Sequence, residues 1–108
     1  MDYQIIIISQ NYYNLPDDIK NITLDECNLI DSNSLVYDDQ TYYFDYLIFD
    51  DVSLINNIKV EQESDYIITN YYQETSLTNI FAIGTQVHTN RTIDEQLEII
   101  INYIINGE

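Results

Sequence analysis

The sequence predicts a small α/β domain: a parallel sheet with one or two β-hairpins, closed by a C-terminal helix. Three observations carry this. Ile5–Ile8 and Asn79–Ile83 are short apolar runs of the kind that form strands buried on both faces. Asp38-Asp39-Gln40 separates two strand-like runs, as a hairpin turn does. Thr92-Ile93-Asp94-Glu95 fits a capping box, and an apolar stripe at helical spacing follows it.

Taken in order, Gln4–Ser9 is the first strand. Gln10–Asp18 is polar and aromatic and ends in Leu15-Pro16-Asp17-Asp18, which reads as a loop or a short helix started by Pro16. Asn21–Asp25 is a second strand, with Ile22 and Leu24 alternating against Thr23 and Asp25. Leu35–Tyr37 and Thr41–Tyr46 form the hairpin, and Tyr46–Phe49 continues as a buried strand that stops at Asp50-Asp51. Ile58–Val60 and Tyr66–Tyr72 flank the acidic turn Glu61–Asp65 and predict a second hairpin. In the closing helix Ile93, Leu97, Ile100, Ile101 and Ile104 share one face. Asp94, Glu95 and Glu98 lie near the positive end of the helix dipole, and Gly107 supplies the stop. No linker or repeat divides residues 1–108, which read as a single domain.

The charge is the second unusual feature. Lys20, Lys59 and Arg91 stand against 19 acidic residues, for a net charge of −16. A field of that sign repels nucleic acid, free nucleotides and anionic membranes, and it attracts basic protein surfaces. The expected partner is therefore a basic protein, with no direct nucleic-acid or membrane binding. With Cys27 as the one cysteine, no internal disulfide, dithiol or cysteine zinc cluster is available. The start Met1-Asp2-Tyr3 lacks a secretory signal, and no stretch approaches membrane-span length, so a reducing, cytoplasmic setting is expected.

Few residues point to chemistry. His88 is the only histidine and reads as an exposed loop residue rather than an acid–base group. Cys27 follows Asp25-Glu26, which oppose a thiolate, so it reads as a core residue. The acids come in pairs, Asp17-Asp18, Asp25-Glu26, Asp38-Asp39 and Asp50-Asp51, without the alternation and turn glycine of a calcium loop. They either keep strand ends wet or line one face as a phosphate-like array. Tyr12-Tyr13, Tyr42-Tyr43 and Tyr71-Tyr72 are adjacent pairs, and in a strand one ring of each faces outward. Exposed tyrosine suits protein interfaces. The candidate partner-binding residues are Asp17, Asp18, Asp38, Asp39, Asp50, Asp51, Tyr42 and Tyr71.

Thr75-Ser76-Leu77-Thr78-Asn79-Ile80-Phe81-Ala82-Ile83-Gly84-Thr85 resembles the last strand of the flavin domain of thioredoxin-reductase-like flavoproteins, which reads T-S-x-x-[GN]-[IV]-[FY]-A-x-G-D. Met1–Ile8 is similar to the opening strand of such domains, Asn21–Glu26 to the second, and Phe44–Asp50 to the strand that often reads v-D-x-v-I-x-A-T/I-G. Ile58–Val60 with Asp65–Ile68 looks like the hairpin ending in G-Y-I. The match is fullest over residues 58–105. The resemblance implies a condensed Rossmann-like, FAD-domain-like sheet without the first helix or the pyridine-nucleotide domain. On that likeness Glu26, Gly84, Thr85 and Arg91 would be the cofactor-binding positions, Glu26 at the ribose.

The departures bear on activity. A dinucleotide site needs a glycine-rich turn after the first strand, and Ser9-Gln10-Asn11-Tyr12-Tyr13-Asn14 has no glycine and two bulky rings. The final Asp is replaced by Thr85, and the dithiol is absent. The closing helix has Gln96 and Leu97 where the family has small residues, and it is about two turns short. Together these argue against FAD binding in the family's manner and against hydride or disulfide chemistry, so no residue is expected to be catalytic or to bind a metal.

The leading reading is a non-catalytic acidic binding or regulatory protein on this scaffold. A specific form is an inhibitor whose carboxylates stand in for phosphates in a DNA-binding groove. A second reading is a minimal flavin or nucleotide binder, with FAD as its cofactor. A third is a fragment that completes another chain's domain.

Overall fold

The computed structural model describes residues 1–107. Strand β1 (Asp2–Ile8) lies inside the sheet, parallel to β2 (Asn21–Leu24) on one side and to β5 (Gln40–Phe49) on the other. Ile5, Ile6, Ile7 and Ile8 are all fully buried, as a β-branched run covered on both faces must be. The connection from β1 to β2 contains no helix; it turns at Pro16–Ile19, where the Ile19 amide donates to the Pro16 carbonyl at 3.1 Å.

Strand β5 organises the rest. Its first half pairs antiparallel with β4 (Ser34–Tyr37), and its second half pairs parallel with β9 (Ile80–Ala82). Asp38 and Asp39 close the β4–β5 hairpin with φ of 51° and 62°. Two consecutive positive φ values make a turn whose twist matches the flanking strands, and Asp tolerates that region better than most residues. Beyond β4 lie β3 (Cys27–Asp31), antiparallel to it, and β6 (Ile55–Asn56), parallel to β3 and preceded by a 3₁₀ turn at Val52–Leu54. The path runs β2-β1-β5-β4-β3-β6, with β9 beside β5. A separate two-stranded hairpin joins β7 (Gln62–Glu63) to β8 (Tyr66–Ile67).

Both faces of the sheet are covered. Ile6, Ile8, Leu47, Phe49, Ile80 and Ala82 belong to one apolar cluster, Ile5, Ile7, Ile48, Phe81 and Ile83 to the other. Alternate positions within each strand therefore separate to opposite faces, as the two-residue strand period requires. Helix α1 (Ile93–Asn106) seals the second cluster with Leu97 and Ile100, helped by Leu15 and Ile19. Each fully buried aliphatic side chain contributes about 1.5–3 kcal/mol, so Leu97 and Ile100 anchor the helix. Its start is the expected capping box: the Glu95 amide donates to Thr92 Oγ1 at 3.2 Å and the Thr92 amide to Glu95 Oε1 at 2.9 Å. Gly107 ends it at φ 74°, its N–H donating to the Tyr103 carbonyl at 2.8 Å.

The fold is thus mixed α/β, with a sheet that is part parallel and part antiparallel. Two expectations need correction. The second strand ends at Leu24, and the chain bends at Asp25-Glu26 into β3, which the sequence reading left out although Cys27 and Leu29 alternate inward against Asn28 and Ile30. The second hairpin is shorter and displaced, turning at Ser64-Asp65 with Ser64 at φ 56°. No helix among the described residues is long and apolar enough to cross a membrane.

Candidate functional site

Because β2 lies on one side of β1 while β5 and β9 lie on the other, the parallel part of the sheet has a switch point between β1 and β5. Open α/β sheets bind ligands in the crevice beyond the carboxyl ends of the strands at such a point. Here that crevice, about 260 Å³, is lined by Asn11, Tyr13, Asp50, Asp51, Gly84 and Thr85, among others.

Its centre is Asp50, the residue after β5. Ser9 Oγ and the Tyr13 hydroxyl each donate to Asp50 Oδ2 at 2.6 Å, and Asn11 Nδ2 donates at 3.3 Å. Ser9 Oγ also accepts the Asn11 amide at 2.8 Å, which curls the turn after β1 over the carboxylate. Burial first, and then the hydrogen bond to Asp50 and its charge, push the Tyr13 phenol from 10.0 up to about 12. Tyr13 is therefore a neutral donor that locks the loop to β5. Asp51 serves the next turn: its Oδ1 accepts from the Ser53 amide, Ser53 Oγ and Gln86 Nε2 at 3.0, 2.8 and 3.1 Å. The Ser53 bonds above all hold its carboxyl below the usual range.

Gly84 follows β9 at φ 88°. Its N–H donates to Gln96 Oε1 at 2.9 Å, so the amide facing the helix is already engaged. Gln96 is the hub of a buried network. Its Oε1 also accepts from Gln73 Nε2 at 3.2 Å, and its Nε2 donates to the Arg91 carbonyl at 3.1 Å. Gln73 Nε2 also reaches the Ala82 carbonyl at 3.1 Å, and Gln73 Oε1 accepts from Arg91 Nη1 at 2.9 Å. Among the described residues no buried side-chain polar atom lacks a partner.

The expected site residues fall into separate groups. Gly84 and Thr85 line the crevice, and Arg91 lines an adjoining groove with them. The Arg91 guanidinium is committed to the Gln73 bond, to the Tyr71 carbonyl at 2.8 Å and to the Tyr71 ring 4.5 Å away. Glu26 is exposed in the bend after β2 and is not part of the crevice lining. Asp17 and Asp18 are exposed in the turn before β2, and Asp38 and Asp39 at the hairpin tip, whereas Asp50 and Asp51 bond internally. Tyr42 is a correction: it is only 8% exposed, stacked on Tyr3 at 6.1 Å, so the outward ring of that pair is Tyr43 at 52%. Tyr71 faces outward at 66%.

Sequence reasoning missed Ser9, Asn11 and Tyr13 as partners of Asp50, and it missed Gln73. Gln96 carried a signal, since it stands three residues after Ile93 and four before Ile100, inside the apolar stripe. Cys27 is buried, and burial, with Glu26 beside it, pushes its thiol up to about 12, which removes the thiolate a nucleophile needs. No group of three or more His, Cys, Asp or Glu among the described residues is placed to hold a metal ion.

The Asp50 carboxylate and the Tyr13 ring in the lining oppose a dinucleotide pyrophosphate. An anion entering between β1 and β5 would meet the Asp50 carboxylate, and the Tyr13 ring occupies the turn that glycines leave open in phosphate-binding loops. Comparison with known proteins finds no match among family models, curated sequences or solved structures.

Proposed function

We propose that this chain is a non-catalytic binding or regulatory protein that engages a basic protein surface through exposed carboxylates, on a condensed thioredoxin-reductase-like scaffold. The observation that carries this is the outward placement of the acids. Among the described residues every Asp and Glu except Asp50, Asp51 and Glu74 is exposed. Two of the three cations are engaged internally: Lys20 Nζ lies 5.0 Å from the Tyr3 ring centre, and Arg91 is held by Tyr71 and Gln73. Such a surface attracts cationic partners and accelerates their encounter. For the scaffold, the support is the parallel order β2-β1-β5-β9, the glycine after β9 and the helix that closes the sheet. Displacement of DNA from a basic groove is the specific form.

The test is the affinity for a labelled lysine- and arginine-rich peptide at about 20 and 300 mM salt, spanning Debye lengths of roughly 20 to 6 Å. Binding should weaken at least tenfold across that range. An affinity indifferent to salt, or no binding at low salt, defeats the reading.

A minimal flavin or nucleotide binder is the second reading, favoured by the position of the crevice and the left-handed Gly84. It requires absorbance beyond 400 nm in the purified protein, or a thermal shift with FAD. A colourless protein indifferent to millimolar FAD leaves it without support.

A further inference from the structure

The hairpin of β7 and β8 does not stand alone. Ile67 bridges Val87 in parallel, and the Ile67 amide donates to the Gln86 carbonyl at 2.7 Å. Three short segments therefore lie side by side. Ile67 and Val87 point inward and are buried, so their neighbours Tyr66, Ile68 and His88 point outward. Glu63 is the registered partner of Tyr66, which places both side chains on one face. The Ile68 amide donates to the Glu61 carbonyl at 3.0 Å, which continues the row. The outer face thus carries Glu61 and Glu63, then Tyr66 and Ile68, then His88.

This face has a shape and a charge. The Tyr66 and His88 rings stack at 4.8 Å with an interplanar angle of 21°, beside an open groove of about 410 Å³. Tyr66 and Ile68 are each 42% exposed and stand side by side on this face. Glu63 lines the same groove. Rings stacked on each other leave the outer face of each open, and Glu63 stands on the Tyr66 side of the pair. An open ring face edged by a carboxylate suits a planar cation: a guanidinium stacks on that face while its N–H fork pairs with the carboxylate, which the compact ammonium of lysine cannot do in the same way. The protein already makes the first of these contacts within itself, where Arg91 lies over Tyr71 at 4.5 Å.

We infer that the Tyr66–His88 platform, with Glu63, is the arginine-reading subsite at which a basic partner protein docks. This rests on the acidic-partner reading and adds to it a place and a preference. Other acids supply long-range attraction; this face supplies the short-range contact and selects arginine over lysine.

His88 is the only histidine, so its imidazole C–H resonances identify themselves in a proton NMR spectrum without labelling. The intact protein is titrated at low salt with a capped Gly-Arg repeat peptide, and separately with the Gly-Lys equivalent, while calorimetry measures affinity. The His88 resonances are expected to shift and saturate with the arginine peptide, which binds about fivefold more tightly than the lysine one. Tyr66→Ala and Glu63→Gln should each weaken the arginine peptide severalfold. Glu98→Gln, an exposed helix position of equal charge, should change it by less than about twofold. Both patch residues are exposed, and an unfolding curve verifies that each variant is folded. If the peptide binds with salt dependence but His88 does not move, or Glu63→Gln and Glu98→Gln behave alike, this subsite is wrong while the acidic-partner reading stands. If neither peptide binds at low salt, both fall.

Discussion

Removing one hydroxyl, in Tyr13→Phe, tests the geometry of the crevice. The Tyr13 O–H donates to Asp50 Oδ2 at 2.6 Å and leaves the phenol raised from 10.0 to about 12. A hydrogen bond to a charged group contributes about 1.5–3 kcal/mol. The crevice is open to water and Ser9 and Asn11 remain, so the cost at pH 7 falls at or below the low end of that range, about 1–1.5 kcal/mol. For a chain of this length that is a fall of roughly 4–8 °C in Tm. The pH dependence sharpens the test. The unfolded chain loses this proton near pH 10 and the folded chain near pH 12, so between them the folded state holds more protons and stability falls as pH rises. Two pKa units correspond to about 2.7 kcal/mol, which solvent screening of a largely accessible phenol reduces to about 1 kcal/mol. Urea unfolding of both proteins from pH 7 to 12 should show a gap that holds to about pH 10 and then closes. The two chains are otherwise identical, so the difference isolates Tyr13. A gap constant through pH 12, or no gap at pH 7, would refute the Tyr13–Asp50 lock.

Gln96→Leu keeps the side-chain bulk but strips partners from the buried Gly84 amide and the part-buried Arg91 carbonyl; at about 1–3 kcal/mol for the first and about 1 kcal/mol for the second, which water can still reach, a loss of roughly 2–4 kcal/mol is expected in chemical denaturation, and a loss under 1 would contradict the hub. Gly84→Ala meets its nearest atoms, Asp50 Cβ and carbonyl oxygen, at 3.6 Å, an ordinary contact, so its cost should be backbone strain alone, about 1–2 kcal/mol. With a net charge of −16, Tm should rise between about 20 and 300 mM sodium chloride as self-repulsion is screened, and a fall in Tm would show that specific ion pairs dominate instead.

What was legible in the sequence was what depends on local pattern. The capping box at Thr92 and Glu95 and the stop at Gly107 are set by neighbours within one helical turn, and both stand where expected. Ile5–Ile8 and Ile80–Ala82 declared their burial by unbroken apolar runs, and Asp38-Asp39 its turn by charge between strands. What was not legible depends on contacts distant in sequence. Asp50 meets Ser9 across 41 positions and Tyr13 across 37, and no local pattern distinguishes that acid from the exposed pairs. Tyr42 against Tyr43 turns on which face of β5 packs against Tyr3, a matter of register that alternation alone leaves undecided. Strand β3 was lost because the acids before it resemble a strand end, when they form the bend between two strands.

The crevice and the surface act in the same electrostatic direction. A phosphate oxygen about 4 Å from the Asp50 carboxylate would be opposed by roughly 1–4 kcal/mol per charge pair between fully aqueous and protein-surface dielectric. That is about fivefold to nearly a thousandfold in affinity before the wider field of the other acids is added. The usual compensation is a glycine amide aimed at the anion, but the Gly84 N–H is turned to Gln96 and the turn after β1 is tied down by Ser9, Asn11 and Tyr13. The residues that stabilise this fold at the carboxyl edge are thus the ones that make the edge inhospitable to a nucleotide. Asp50→Asn separates the two effects: it removes the charge while keeping an oxygen that can accept from Tyr13 and Ser9. If repulsion is what bars nucleotides, this variant should give a measurable thermal shift with millimolar FAD where the parent gives none. If the parent itself shifts with FAD, Asp50 does not exclude the anion, and the flavin reading gains over the acidic-partner one.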